Sequence, residues 1–260
     1  MTPFELHQPG SLTEAIALLG GDEATRPLSG GTALMLMMKA GVLRPSRLVS
    51  LGKLSLESVE TGPDGALRVG AMVTLRALEK SDLVRRGWPV ITRTLRTLSN
   101  VRVRNVATVG GHLAHADPHM DLPPLLSALG ATVTIAGTSG ERSLPVEGLY
   151  AGYLETTLRR GELITQVRIP ALGSKRAAYL KCTTRSVDDW PAIGVAVVLD
   201  GEKPTIFVSA ATDKPTRLAS VEAAEDLHIE SDLHGSAEYK RQLLRVFLKR
   251  AISEARNAGH

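Results

Sequence analysis

Residues 100–121 read NVRVRNVATVGGHLAHADPHMD. An apolar run leads into Gly110-Gly111, and His112, His115, His119, Asp117 and Asp121 follow at once. Metal site, anion-binding turn and polar loop are the three readings such a stretch allows. A helix would bring His115 and His119 together, but Pro118 lies between them and opposes an uninterrupted helix, so no metal is expected here. Pro123 and Pro124 suit the first turn of the next helix, with Asp121 or Leu122 near its cap. The glycine pair suits an anion: residues without side chains let a ligand approach, and free N–H groups favour negative charge.

A second pair, Gly30-Gly31-Thr32-Ala33, stands before the apolar run LMLMMKAG. Thr32 ahead of that run and Gly41 behind it favour a helix. Neither pair matches the dinucleotide fingerprint G-x-G-x-x-G or the phosphate loop G-x-x-x-x-G-K-[ST]. Taken alone, each also fits an ordinary tight turn.

Around these stretches the chain has 260 residues, 43% of them hydrophobic, enough for one sizeable core or a few small subdomains. No apolar run approaches a membrane span, and the start MTPFELHQPGSLTEA predicts no secretory signal. One cysteine, Cys182, excludes a disulfide framework, a zinc ribbon or a four-thiolate iron–sulfur cluster, and fits a reducing, cytoplasmic setting. Net charge is +4 with basic residues dispersed, and aromatics make up 3%, so stacking platforms for nucleic acid are few. Arg102 and Arg104 are read as solvated, with a docking surface as the alternative.

Ser11-Leu-Thr-Glu14 predicts a capped helix carrying Leu12, Ile16 and Leu19 on one face and ending at Gly20. SLESVE and ALRVGA read as strands joined by TGPDG, Thr74 caps a helix through Lys80, and Trp88–Leu98 has helical spacing. A helix over DLPPLLSALG, a hairpin ATVTIAG–TSG–ERSLP and a strand ELITQVRIP close this part of the chain. Three consecutive strands follow, RAAYLKCTT, AIGVAVVLDG and KPTIFVSAA, then a helical tail over Ser220–Ala258. Without regular βαβ alternation the class is α+β, not a doubly wound sheet.

Four of these segments, PLSGGTALMLMMKAGVLRPSRLVSL, VRNVATVGGHLAHADPHMDLPPLLSALGA, GELITQVRIP and AAYLKCTTRSVDDWPAIGVAV, occur in an order and spacing that resemble a known family. It is the FAD-binding medium subunit of molybdenum hydroxylases, the group of carbon monoxide dehydrogenase and bacterial xanthine dehydrogenases. The resemblance spans nearly the whole chain. It implies a vanillyl-alcohol-oxidase (PCMH)-type fold over residues 1–172, in subdomains of about 1–55 and 56–172, and a small C-terminal α+β domain over 173–260. It implies non-covalent FAD, a large molybdopterin-binding subunit and a small subunit with [2Fe–2S] clusters. The medium subunit would pass electrons from those clusters to an external acceptor.

The same resemblance implies that Leu28, Ser29, Gly30, Gly31, Thr32, Ala33 and Leu34 wrap the diphosphate, with Thr108, Gly110, Gly111 and His112 as a second contact. Asp121 would accept from cofactor hydroxyls and Ile164 would lie against a ring of the cofactor. Lys181 would stand near the isoalloxazine as a cation, and Trp190 would place an aromatic ring against it. No side chain is expected to act as nucleophile or base, because the flavin carries the redox chemistry. His112 stands where the family often has asparagine, and Thr32-Ala33 where carbon monoxide dehydrogenases tend to have His-Ser. Two alternatives are a self-contained flavin oxidase of the same fold and a non-catalytic nucleotide-binding assembly module.

Overall fold

The computed structural model describes residues 2–258. The outermost ends of the two expected domain ranges, residue 1 and residues 259–260, lie outside the described residues. The chain opens with β1 (Glu5–His7), α1 (Leu12–Gly21), β2 (Thr25–Leu28), α2 (Leu34–Lys39) and β3 (Arg47–Ser50). The Ser11 hydroxyl caps α1 by accepting from the Glu14 N–H, and the Glu14 carboxylate accepts from the Gly10 N–H. The three strands form a parallel sheet in the order β1-β3-β2. Strand β2 is not announced by the sequence. Its four residues show no period of their own, and Pro27 is tolerated because β2 is an edge strand.

Next come β4 (Val59–Thr61) and β5 (Leu67–Gly70), then five short helices: α3 (Leu75–Lys80), α4 (Asp82–Gly87), α5 (Pro89–Thr97), α6 (Val101–Arg104) and α7 (Val109–Ala114). Helix α8 (Leu122–Ala128) leads to the hairpin β6 (Thr132–Gly137) and β7 (Gly140–Pro145), then β8 (Tyr150–Gly152), β9 (Glu155–Thr156) and β10 (Leu163–Ile169). Strand β10 lies at the centre of a five-stranded antiparallel sheet, β4-β5-β10-β6-β7. Thr74 caps α3 as expected, its hydroxyl accepting from the Ala77 N–H.

The C-terminal part is a four-stranded antiparallel sheet of β11 (Arg176–Thr183), β12 (Pro191–Asp200), β13 (Lys203–Ser209) and β14 (Thr216–Leu218), backed by α9 (Ala237–Asn257). The expectation of three strands is corrected to four, and the tail is helical only from Ala237 apart from a short 3-10 turn at Glu222–Ala224. Strand β12 reads PAIGVAVVLD and is buried from Pro191 through Leu199. Its continuous apolar run follows from having two covered faces. Val195 and Val197 pack with Leu244 and Leu248 of α9, whereas Ala196 and Val198 belong to the core shared with α8 and the five-stranded sheet. One strand therefore serves two cores.

Candidate functional site

Strand β2 ends at Leu28 and feeds directly into Ser29-Gly30-Gly31, after which α2 returns the chain to β3, parallel to β2. Loops at the C-terminal ends of parallel strands are where βαβ units place ligands. Gly31 has φ +70°, the left-handed conformation that lets successive N–H groups turn inward as a concave nest. The expected Thr32 cap is not made: α2 starts at Leu34 with Ala33 at its N-cap and no side-chain bond. Among the described residues, the backbone N–H groups of Thr32, Ala33 and Leu34 donate to no other atom of the chain.

The second glycine pair differs. Gly110 N–H donates to Ala71 O (2.8 Å), Gly111 N–H to the Thr108 hydroxyl (3.1 Å) and His112 N–H to Thr108 O (2.9 Å). These donors are already committed, so the expected row of free N–H groups at this turn is corrected: the pair forms the first turn of α7. What the second pair supplies is close packing. A Cβ on Gly30 would stand 2.1 Å from Val106 O, one on Gly110 2.6 Å from Ala71 Cβ, and one on Gly111 2.5 Å from Ser29 Oγ. The glycines let the two loops touch each other.

Together the loops wall a cavity of about 720 Å³, within the usual range for small-molecule sites. Ser29 through Leu34, Thr108, Gly110, Gly111, His112, Asp121, Ile164 and Trp190 all line it, with Leu36, Met37, Val42 and Leu75 adding apolar wall. Leu28 and Lys181 do not line it. Leu28 sits behind the nest, its Cδ1 3.1 Å from where a Gly31 Cβ would be.

Lys181, expected near the isoalloxazine, acts as a strut within the chain. Its ammonium donates to Asp121 Oδ2 (3.1 Å) and to Asp189 O (3.0 Å). Asp121 does not cap α8, because its carboxylate turns away to accept from Lys181 and from the Tyr179 hydroxyl at 2.7 Å. Burial pushes the Asp121 carboxyl above the usual range, opposed by the pull of Lys181 and Tyr179. Its capacity to receive a cofactor hydroxyl is therefore shared with two groups of its own chain.

His112 is buried beside the cavity, and its Nε2 has no hydrogen-bond partner. Burial pushes its pKa down to about 3, so the ring is neutral at ordinary pH. It can bring a hydrogen bond to a ligand, but no charge. His115 is likewise held below its ordinary value by burial. His119 gives both ring nitrogens to carboxylates, Asp117 and Asp232. Among the described residues no cluster of His, Cys, Asp or Glu has the arrangement of a metal site.

Arg104 is corrected from a solvated residue to a buried one. It donates to Glu79 Oε2 (2.9 Å), to Leu98 O (3.0 Å) and to Ser99 O. This fixes Ser99 and Leu98 on the cavity wall, and Ser99 holds φ +51° there. Sequence reasoning missed Arg104, Tyr179 and the apolar wall, since nothing in the spacing of those residues announces a cavity. The His119–Trp190 stack, with centroids 5.4 Å apart, was equally hidden.

A family model described as the FAD binding domain in molybdopterin dehydrogenase matches residues 2–172. The chain is 31% identical over 275 residues to the glyceraldehyde dehydrogenase medium chain of Sulfolobus acidocaldarius, covering 96% of this chain and 98% of that one. It is 32% identical over 281 residues to the carbon monoxide dehydrogenase medium chain of Afipia carboxidovorans, covering 97% and 96%. A solved chain of reconstituted CO dehydrogenase from Oligotropha carboxidovorans superposes with a TM-score of 0.93 at 30% identity, over 99% of each chain.

Proposed function

The chain belongs to the FAD-binding medium subunits of molybdopterin dehydrogenases, and on that premise we propose how its own residues hold the cofactor. One observation carries the assignment: an unpartnered row of N–H groups at the end of β2 opens into a cavity large enough for a dinucleotide-sized ligand. The donor set fits FAD. The nest from Gly31 to Leu34 offers N–H groups to the diphosphate, and the Thr108 hydroxyl stands across from it on a loop that Gly111 brings against Ser29. The orphaned His112 Nε2 supplies a neutral hydrogen bond, and Asp121 accepts from a hydroxyl. Ile164 and the apolar wall exclude water, while Trp190 stands at the edge.

When bound, FAD supplies the capacity to take up electrons and give them to an external acceptor. The chain's residues bind and orient it, and no side chain need exchange a proton with a substrate. Electrons would arrive from the [2Fe–2S] clusters of a small partner subunit, with substrate oxidised on a large molybdopterin-binding subunit. Residues 1–172 are taken as the FAD-binding domain, in parts of about 1–55 and 56–172, and residues 173–260 as the C-terminal domain. Among the described residues no helix is long and apolar enough to cross a membrane, and the single cysteine fits a cytoplasmic location.

The full chain, purified and supplied with FAD, should bind about one flavin and release it on acid precipitation. Alone it should oxidise no aldehyde, heterocycle or carbon monoxide, and such activity should arise only on co-expression with the two partner subunits. Flavin that stays with the acid precipitate, or robust oxidation by the chain alone, would overturn the assignment in favour of a self-contained oxidase.

A further inference from the structure

The loop between α7 and α8 carries a cluster to which the flavin assignment gives no role, although Asp117 and His119 line the same cavity. His119 lies in that loop with its ring largely buried, Nδ1 2.9 Å from Asp117 Oδ1 and Nε2 2.9 Å from Asp232 Oδ2. A neutral imidazole has one N–H, so it can donate to one carboxylate but must oppose a lone pair to the other. A carboxylate at each nitrogen therefore selects the doubly protonated ring. Burial works against that charge, but the hydrogen bonds to Asp117 and Asp232 outweigh it and hold the His119 pKa above its ordinary value.

The surroundings fix this ring from several elements. Asp117 is buried and comes from the same loop. Asp232 comes from the segment before α9, where Lys240 Nζ (2.6 Å) and the His234 N–H (2.8 Å) donate to it. Lys240 also donates to Ala210 O, and the Ala210 N–H donates to Pro118 O, which ties the loop to the C-terminal sheet. His115 stands at the end of α7 and feels Asp117. Tyr153, between β8 and β9, has its hydroxyl held above the ordinary value by burial and by Asp117 and Asp232.

The faces of the ring are occupied too. Trp190 stacks on it at 5.4 Å with 28° between planes, and His234 approaches at 5.0 Å, tilted by 48°. Trp190 is 43% exposed, and among the described residues its indole N–H has no hydrogen-bond partner. The stack is thus the main constraint on where the indole stands, and a charged imidazole against an indole face is favourable.

We propose that His119 is a positioning residue for Trp190: held flat and charged between Asp117 and Asp232, it is the shelf that sets the indole at the mouth of the cofactor cleft. The consequence for FAD rests on the flavin assignment above, whereas the pairing of the two rings does not. Loss of the proton leaves one carboxylate facing a lone pair, so the shelf loosens and Trp190 is released.

The experiment uses the full chain in two forms. In flavin-free protein, the Trp190 contribution to emission is the difference between wild type and Trp190→Phe, which keeps Trp88. A protonated imidazole in contact quenches indole emission more strongly than a neutral one, so this component should rise about two-fold as pH climbs through a midpoint above the ordinary imidazole value. In His119→Gln it should be high and independent of pH. In Asp232→Asn, which keeps the imidazole, the midpoint should fall toward the ordinary imidazole value. A flat wild-type profile, or an unchanged titration in His119→Gln, overturns the proposal. So does a titration abolished by His234→Gln, which would assign it to that ring.

In the FAD-loaded chain, freeing the indole should change flavin emission about two-fold or more in His119→Gln, because the distance of an aromatic ring from the isoalloxazine sets how strongly it quenches. Unchanged flavin emission and absorption in that variant overturn the shelf's role toward the cofactor. If the chain binds no FAD, the flavin assignment fails, and the flavin-free titration still decides the pairing.

Discussion

Replacing Lys181 by methionine removes a cation while keeping most of the volume of its stem. In the structure that cation faces Asp121 at 3.1 Å, with the two side chains only 6% and 5% exposed. Breaking a buried pair leaves an uncompensated charge, and such losses amount to about 3–5 kcal/mol. The lower end is expected here, about 3 kcal/mol, because the Tyr179 hydroxyl stays on Asp121. Urea denaturation of the flavin-free chain measures it. The double variant Lys181→Met/Asp121→Asn removes the charge as well and should recover about 1–3 kcal/mol of the loss. The pH dependence follows with a definite sign. Burial raises the Asp121 carboxyl, and without Lys181 it rises further. A carboxyl whose folded value is raised contributes stability below its unfolded value, and loses it as pH climbs through the folded one. The deficit of Lys181→Met should therefore shrink as pH falls from neutral toward the ordinary carboxylate range. A deficit under about 1 kcal/mol, as for an exposed pair, or one indifferent to both pH and Asp121→Asn, would refute the strut.

His112 should make the chain acid-sensitive: the folded form refuses a proton that the unfolded chain accepts below its ordinary value of 6.5. Between pH 7 and pH 5 this costs about 2 kcal/mol, and the loss should be absent from the stability curve of His112→Asn measured in the same buffers. Gly110→Ala should destabilise by about 1–3 kcal/mol and lower flavin affinity, since its Cβ meets Ala71 at 2.6 Å. Gly20→Ala is the control in the same denaturation assay; nothing lies within 4 Å of its Cβ, and in a helix it should stabilise by about 0.5–1 kcal/mol. Arg104→Lys cannot reproduce the fork that grips Glu79, Leu98 and Ser99, so it should lower the melting temperature and weaken flavin binding together.

Elements whose signals are local were legible in the sequence. Ser11 and Thr74 announce their helices because a cap acts within four residues, and the hairpin of β6 and β7 follows from alternation around a short polar turn. The family was legible because four separated motifs agree. The parallel sheet was not, since strands of three or four residues are stabilised by partners far along the chain. The two glycine pairs looked equivalent, yet only the backbone path decides which N–H groups remain free. Lys181 sat on a correctly read strand, but its partner Asp121 stands just before α8, where periodicity cannot align the two. The same holds for His119, whose second carboxylate arrives from just before α9.

Strand β12, walled by two cores, also bears on the order in which a ribosome can finish this protein. Helix α8 and the five-stranded sheet emerge early, yet their core includes Ala177, Ala196, Val198 and Phe207 from later strands. At ordinary translation speeds, of about 5–20 residues per second, the apolar face awaiting those strands stands open for several seconds. The cleft wall that includes Trp190 and Pro191 is completed in the same interval. Flavin capture is therefore expected only after β12 has been made, and until then the apolar face that the later strands cover is exposed.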